Sequence, residues 1–418
     1  MQVARRPGAR PRVLLVSRIY APESAAATFR LGALVRALSG RARVGVLTTT
    51  PPPALRARGA AGRRPAPAPD GVTVSRWPAL RDATGYVRGY LPYLSFDLPL
   101  ALRLLGARRP DVVVVEPPPT TGAVTRVALG VRALPGRTRG HDRVPYVYYA
   151  ADVWSDATAS MGAPAPVVTA MRWVERFALR GARDVVAVSE GVAERVRAIA
   201  GGDTPVTVVP NGIDTDVFTP DGPRHPEAPA TPYLVYAGTA SEWQGAEIFA
   251  EAMREVVREE PGARLVFLGQ GSSWPVLRRV ADELPRGALE LRPLAPVEEA
   301  AAWQRGAAAA LVSVRPGVGY DFAYPTKVIA ALACGTPVVF AGPGPAAADV
   351  AAHDLGEAVG YDVMQVAAAM LRAVRAGREP HSTADAARRV AWVREHRSLS
   401  ATGRRAAAVV LPEGAEEA

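Results

Sequence analysis

Short apolar runs alternate with segments of helical period along nearly the whole chain. In the first half the runs are Val13–Ser17, Val44–Thr48, Val72–Arg76, Asp111–Val115, Tyr146–Tyr149, Asp184–Val188 and Val206–Val209. Between them, Ala26–Leu38, Leu91–Leu105, Val167–Leu179 and Val192–Ile199 repeat apolar residues three and four apart, the spacing that gives a helix one apolar stripe. The pattern then restarts, with strands expected at Tyr233–Tyr236, Arg264–Leu268, Leu289–Leu291, Ala310–Val314 and Pro337–Ala341. Helices are expected at Ala246–Glu259, Trp274–Leu284, Pro296–Gln304, Lys327–Ala333 and Val363–Arg375. Near-continuous apolar strands separated by helices suit parallel sheets covered on both faces. The prediction is an α/β chain of two doubly wound, Rossmann-like domains.

The restart follows Pro210–Pro232, a turn-rich stretch with six prolines and no apolar period, which reads as a hinge. It divides the chain into a first domain over 1–210, a linker over 211–232 and a second domain over 233–380. Within 381–418, Thr383–Glu395 and Ser398–Leu411 read as helices that arrive after the second sheet is complete, so a return onto the first domain is expected. The Pro/Gly/Arg tract Pro51–Pro69 interrupts the first domain and reads as a disordered loop rather than a functional one, given Arg56, Arg58, Arg63 and Arg64 among Ala, Gly and Pro.

Composition fits a globular chain: of 418 residues 49% are apolar and 22% charged. Cys334 is the single cysteine, which excludes an intramolecular disulfide framework and a multi-cysteine metal site. The five histidines lack ligand spacing, so no metal is expected. The basic residues are 49 Arg and one Lys, Lys327. Residues 1–150 hold 24 Arg against 7 acids, a formal +17, whereas 151–418 carry a formal −7. That field favours an anionic partner on the first domain, the plain alternative being an Arg-rich solvated surface. The most apolar stretch, Tyr86–Leu105, is broken by Arg88, Asp97 and Arg103, so no membrane span is expected, and Met1–Pro11 does not read as a signal peptide. A cytoplasmic protein is the expectation. With Tyr86, Tyr90, Tyr93, Phe96 and leucines flanked by Arg81, Arg88, Arg108 and Arg109, the same stretch also has the make-up of an interfacial helix on anionic lipid, the alternative being an amphipathic helix packed on the sheet.

Ligands of doubly wound sheets bind at the carboxyl ends of the strands. Gly238, Thr239 and Ser241 follow the first strand of the second domain, and Gly269, Gln270 and Gly271 the second; both loops read either as phosphate cradles or as simple turns. Pro325, Thr326 and Lys327 open a helix that Gly335 ends, with Thr326 as its expected cap. The positive end of that helix and the Lys327 ammonium would then act on one phosphate. In the first domain Asp152 and Trp154 close a strand, and Asp152 could bond a sugar hydroxyl or cap a turn. Glu23, Ser24 and Thr28 follow the first strand and could line the same site or cap a helix.

These residues, in order, resemble the family 4 glycosyltransferases of the GT-B fold, most closely the bacterial branch that builds polysaccharides or decorates natural products. The likeness rests on Ile19-Tyr20-Ala21-Pro22-Glu23 with Arg30-Leu31, Asp152-Val153-Trp154, Val185 to Glu190, and Val209-Pro210-Asn211-Gly212-Ile213-Asp214 with Phe218 and Pro220. It continues through Tyr236-Ala237-Gly238-Thr239, Phe267 to Gly271, and Pro325-Thr326-Lys327 to Val339. The resemblance implies two domains facing across a cleft and a nucleotide-sugar donor on the second. It further implies an acceptor, lipid-linked glycan or small molecule, on the first, and transfer with retention and without metal. It implies no cofactor beyond the nucleotide sugar, and no nucleic acid partner.

Several family positions differ. The two glutamates that usually hold the donor sugar and ribose align with Phe322 and Ala330, the usual diphosphate-clamping Arg and Lys with Thr239 and Gln244, and the glycine pair near Ser24 with Ala25 and Ala26. Each lost charged hydrogen bond is worth about 1.5–3 kcal/mol. Lys327 must carry more of the charge, and Asp321 is the candidate replacement for the first glutamate. The site residues expected to act are therefore Asp152, Asp321 and Lys327. Donor contacts are expected from Gly238, Thr239, Gln244, Gly269, Gly271, Pro325 and Thr326, and acceptor contacts from Glu23, Ser24, Thr28 and Trp154. Two other classes compete: a catalytically inactive partner of the same fold, and a nucleotide-sugar epimerase or hydrolase.

Overall fold

A computed structural model describes residues 10–23, 26–52, 70–81, 87, 89–134, 143–160, 162–379 and 382–412. The chain forms two compact units, the first holding residues up to Asn211 together with those from Thr402 onward, the second Gly212–Ala401.

In unit 1 the strands β1 (Arg12–Val16), β2 (Arg43–Thr49), β3 (Val72–Trp77), β4 (Val112–Val115), β5 (Tyr146–Ala150), β6 (Asp184–Ala187) and β7 (Val206–Val208) form one parallel sheet. Their order is β3-β2-β1-β4-β5-β6-β7. Side chains alternate between two cores, because successive strand residues point to opposite faces. Val113 and Val115 meet α2 (Tyr90–Gly106), α3 (Pro119–Arg132), α5 (Ala165–Arg180) and α6 (Glu190–Ala200), the short α4 (Trp154–Ser160) packing on α5. Val112 and Val114 meet α1 (Ala26–Ser39).

Unit 2 repeats the plan. Its strands are β8 (Tyr233–Thr239), β9 (Arg264–Gln270), β10 (Leu289–Arg292), β11 (Ala309–Ser313), β12 (Val338–Ala341) and β13 (Gly356–Val359), ordered β10-β9-β8-β11-β12-β13 and all parallel. Helices α7 (Glu247–Glu259), α8 (Trp274–Glu283) and α12 (Val363–Ala376) cover one face. On the other lie α9 (Val297–Gly306), α10 (Thr326–Ala333), α11 (Pro345–Ala352) and α13 (Thr383–His396).

Both sheets are the doubly wound type expected, but four elements escape the apolar pattern. The buried residues of α3 are Pro119, Thr121, Gly122, Thr125, Ala128 and Leu129, of which only Leu129 is large and apolar, so the helix shows no apolar stripe. A Cβ on Gly122 would stand 2.7 Å from the Tyr148 ring, so the helix lies too close to the sheet for larger side chains. Similarly, α11 is mostly alanine, β13 is a half-buried edge strand, and α4 has seven residues.

The stretch expected as a hinge is instead docked on unit 2. Phe218 enters its core, His225 stacks on Trp303 at 4.5 Å, and Arg305 Nε donates to the Pro223 carbonyl at 2.9 Å. The stretch runs through successive turns, and the change of unit falls at Asn211–Gly212. Of the two late helices, α13 stays on unit 2, where Arg389 Nε donates to the Gly335 carbonyl at 2.8 Å. The last helix, α14 (Leu399–Val410), sets Ala406, Ala407 and Val410 into the α1 core of unit 1. Most of the Pro51–Pro69 tract lies outside the described residues.

The seat of α14 depends on Gly403, where a Cβ would approach the Ala33 carbonyl oxygen to 2.6 Å. Gly403→Leu is expected to lift α14 and cost about 1–3 kcal/mol, read as a lower urea midpoint for unit 1. A change below about 0.5 kcal/mol would show that α14 does not support unit 1.

Candidate functional site

In unit 2, β8 and β11 are neighbours although the chain winds outward on both sides of them, and such a switch point is where open α/β sheets leave a crevice. A cavity of about 660 Å³ lies there. Its polar wall is Thr239, Ser241, Gln244, Gln304, Thr326 and Lys327, while Leu268, Leu294, Ala300 and Ala330 contribute to an apolar one. No carboxylate stands among the described lining residues.

Lys327 is the charge of this cavity. It is the second residue of α10, and its stem crosses β8 at Gly238, where a Cβ would stand 3.0 Å from Lys327 Cε. Gly238 also has φ 121°, so both backbone and space require glycine. Lys327 Nζ donates to the Thr239 carbonyl at 2.9 Å and lies 5.1 Å from the Tyr236 ring centroid. Desolvation pushes the amine down to about 7. The positive end of α10 opens at the same place, because Pro325 is the N-cap and offers no side-chain acceptor. Thr326, expected as the cap, is the first helical residue and lines the cavity.

The other expected donor residues divide. Gln244 lines the cavity, its Oε1 accepting from Tyr236 Oη, Ser241 N and Ser241 Oγ, each at 3.3 Å, which closes the 241–244 turn. Gly238 and Thr239 lie within β8, and Gly269 within β9, not after these strands. A Cβ on Gly269 would fall 2.0 Å from the Gly238 carbonyl oxygen, and one on Gly271 2.1 Å from that of Ala240. Those two glycines serve the close approach of neighbouring strands, and neither lines the cavity. Asp321 is exposed, accepts from the Gly317 N–H at 3.2 Å and stands outside the lining. Beside it runs an aromatic row that the sequence reading missed, with Trp243 stacked on Tyr320 at 5.2 Å and Tyr320 on Phe322 at 6.4 Å.

Unit 1 builds a second polar centre at its own switch point, between β1 and β4. Ser17 follows β1 and Glu116 follows β4; Ser17 Oγ donates to Glu116 Oε2 at 2.6 Å, and Arg30 of α1 pairs with Glu116 Oε1. The Arg30 guanidinium also lies 5.6 Å from the Tyr149 ring. Arg18 is buried, donates to the Val87 carbonyl at 2.8 Å and stacks 4.2 Å from the Tyr93 ring, with Trp154 at 5.7 Å. Desolvation lowers the Arg18 pKa, against the opposing pull of Tyr93 and Asp97.

Asp152 closes β5 beside this centre. Solvent reaches it, yet partial desolvation raises its carboxyl above the ordinary value, Arg30 opposing and Glu116 adding to the rise. Trp154 begins α4, where its N–H donates at 2.8 Å to Glu175, a buried carboxylate on α5 that also accepts from Ser155 N at 3.1 Å. Glu175 thereby caps α4 and fixes the Trp154 ring edge-on to Tyr93 at 5.7 Å. Glu23 is occupied: Arg81 grips both its oxygens, at 3.1 and 3.2 Å, so it anchors the segment after β1 rather than presenting a free acceptor. Ser24 lies outside the described residues. Thr28 sits in α1 with its Oγ1 buried and unpartnered among the described residues. Arg18, Glu116 and Glu175 went unnoticed in the sequence, and Arg81 was read only as a charge flanking the Tyr86–Leu105 stretch, although a polar residue directly after an apolar strand marks Glu116. Among the described residues no three His, Cys, Asp or Glu side chains gather as a metal would require.

Two parallel α/β units, each with polar side chains at its switch point, define the GT-B class of glycosyltransferase folds. Residues 25–212 match the glycosyl transferase 4-like domain and residues 231–376 the glycosyl transferases group 1 domain, which leaves only the termini and the joint uncovered. The chain belongs to this glycosyltransferase family. A curated relative, D-inositol 3-phosphate glycosyltransferase of Xylanimonas cellulosilytica, is 29% identical over 188 residues. That match spans 39% of this chain and 43% of the relative's length. Among solved structures, Anabaena HepE in complex with UDP and glucose is 14% identical with a TM-score of 0.63, over 96% of this chain and 99% of that one. WaaG, a glycosyltransferase involved in lipopolysaccharide biosynthesis, is 14% identical with a TM-score of 0.60, over 96% and 100%. At these identities the likeness to solved structures is one of fold.

Proposed function

We propose that the protein moves a glycosyl group from a nucleoside-diphosphate sugar, held by unit 2, to an acceptor hydroxyl held by unit 1, with retention and without metal. The observation that carries this reading is Lys327. A lone, partly desolvated ammonium at a helix N-terminus, in a cavity with no lining carboxylate, suits an anion better than any other ligand. The UDP named in the HepE complex supports a nucleoside diphosphate as that anion.

In this reaction the bond from the anomeric carbon to the leaving phosphate oxygen breaks. The acceptor oxygen bonds to the same carbon from the same face, and the departing phosphate takes the acceptor proton. The protein then needs no side-chain base. Lys327 and the α10 dipole neutralise charge growing on the phosphate, an electrostatic contribution that costs no reorganisation at the moment of transfer. Asp152 would accept a hydrogen bond from a hydroxyl of the sugar or the acceptor. With Phe322 exposed and Ala330 in the cavity wall, the donor is held by its phosphates and by apolar contact more than by carboxylates. A lipid-linked glycan or a small molecule would serve as acceptor.

The test is a panel of nucleotide sugars examined by calorimetry and then by turnover with hydroxyl acceptors. Binding of one nucleoside-diphosphate sugar, with acceptor-dependent release of the diphosphate, is expected. Release that is independent of acceptor would make the protein a hydrolase. Binding without any turnover would make it the inactive partner of another transferase, and no binding would remove the donor site.

A further inference from the structure

Helices α2, α3 and α5 lie side by side over one face of the unit 1 sheet, and their outer surface has an unusual make-up. On α2, Leu91, Leu94, Leu98 and Leu102 are 70%, 47%, 66% and 73% exposed, at helical spacing that puts all four on one outward stripe. The inward stripe of the same helix is Phe96, Leu100 and Leu104. Of the aromatic residues expected to make this stretch interfacial, Phe96 turns into the core and Tyr93 onto Arg18 instead, while Tyr86 and the Tyr90 side chain lie outside the described residues. On α5, Trp173 and Phe177, one turn apart, are 75% and 39% exposed, and Val127 on α3 is 53% exposed.

The charges of this layer have one sign. The three helices contain two carboxylates, Asp97 and Glu175, and both are buried. Their arginines are Arg103, Arg126, Arg132, Arg172, Arg176 and Arg180. Arg103, Arg126 and Arg180 donate to backbone carbonyls, which orients each guanidinium without cancelling its charge. Arg172 has Asp156 within 3.8 Å, a carboxylate already bonded by Arg195.

We propose that this three-helix face rests on an anionic lipid bilayer, the leucine stripe and Trp173 entering the boundary of headgroup and acyl chain while the arginines meet lipid phosphates. Apolar side chains interspersed with cations and no exposed acid match that boundary in both respects. A second copy of the chain is a poor occupant, since a two-fold contact would set these arginines against one another. Nucleic acid would match the charge and leave the leucines in water.

Co-sedimentation of the full chain with phosphatidylcholine vesicles, with and without phosphatidylglycerol, tests the proposal. Binding to the anionic vesicles alone is expected, weakening with salt. Leu98→Ser with Leu102→Ser should lower partitioning by about tenfold or more, and Arg172→Gln with Arg176→Gln by about fivefold per charge. An unchanged circular dichroism spectrum and urea midpoint of unit 1 serve as the control that each variant is folded. Absence of binding at low salt would overturn the proposal, as would leucine variants that bind as the parent does. Single-stranded RNA held as tightly as the vesicles, or a dimer in solution that the leucine variants dissociate, would assign the face to a different partner.

Discussion

Lys327→Met is expected to remove most of the affinity of the unit 2 cavity for a nucleoside diphosphate while leaving unit 2 folded. The substitution keeps the length of the stem beside Gly238 and deletes only the ammonium. The loss is one charge-assisted hydrogen bond to phosphate, about 1.5–3 kcal/mol, or roughly ten- to a hundredfold in Kd. The pH dependence is a sharper signature. The amine of the free protein is held down to about 7 by desolvation, and a bound phosphate would restore its charge. Above pH 7, binding must therefore take up a proton, and affinity should fall about tenfold per pH unit until the raised pKa of the complex is passed. Below pH 7 the amine is already charged and the dependence from this group vanishes. Calorimetry in buffers of different ionisation enthalpy would count the proton. A parent protein whose affinity is flat from pH 7 to 9, or a methionine variant that binds as tightly, would return Lys327 to a packing role.

Lys327 stands out in the sequence because it contrasts with its background, one lysine beside 49 arginines. A compact ammonium can follow the groove left by Gly238 and lie against the Tyr236 ring, where a planar guanidinium would need more width. The sheets were legible for an equally physical reason. Strands such as Val112–Val115 are buried on both faces and so must be apolar throughout, which leaves a short run of β-branched residues bounded by polar and turn residues. Helix α3 was not legible, because it approaches the sheet through Thr121, Gly122 and Thr125, and close approach selects small residues instead of a stripe.

The glycines misled for a related reason. Gly269 and Gly271 have the look of a phosphate loop in sequence, yet they stand where β8 and β9 leave no room for a Cβ. Sequence cannot separate a glycine that admits a ligand from one that admits a neighbouring backbone. The 210–232 stretch was misread through its prolines. They signal an absence of helix and strand, which a free linker and a strap docked by Phe218 and His225 share. Glu116 was missed because the residues it joins, Ser17 and Arg30, are distant in sequence, and only the β1–β4 pairing brings them together.

Glu116→Ala is expected to destabilise unit 1 strongly. The Arg30 and Glu116 side chains are 10% and 6% exposed, so the ion pair is largely shielded from water. Truncation leaves the Arg30 guanidinium beside Tyr149 without its anion, whereas Ser17 Oγ keeps a second acceptor, the Ile19 carbonyl at 2.8 Å. The cost thus falls on the stranded charge rather than on the hydroxyl, and breaking such a pair on one side costs about 3–5 kcal/mol. That is a large share of the roughly 5–15 kcal/mol that holds a domain together. Glu116→Gln keeps the shape and an oxygen for either partner, so it should cost less than the alanine. Arg30→Met in the Glu116→Ala background should recover part of the loss, because it removes the orphaned charge. Urea unfolding followed by circular dichroism gives the three values, and donor binding at Lys327 reports separately on unit 2. An alanine variant within about 1 kcal/mol of the parent, or a double variant no more stable than the single, would mean that water reaches Arg30 and that the pair contributes little to the switch point of unit 1.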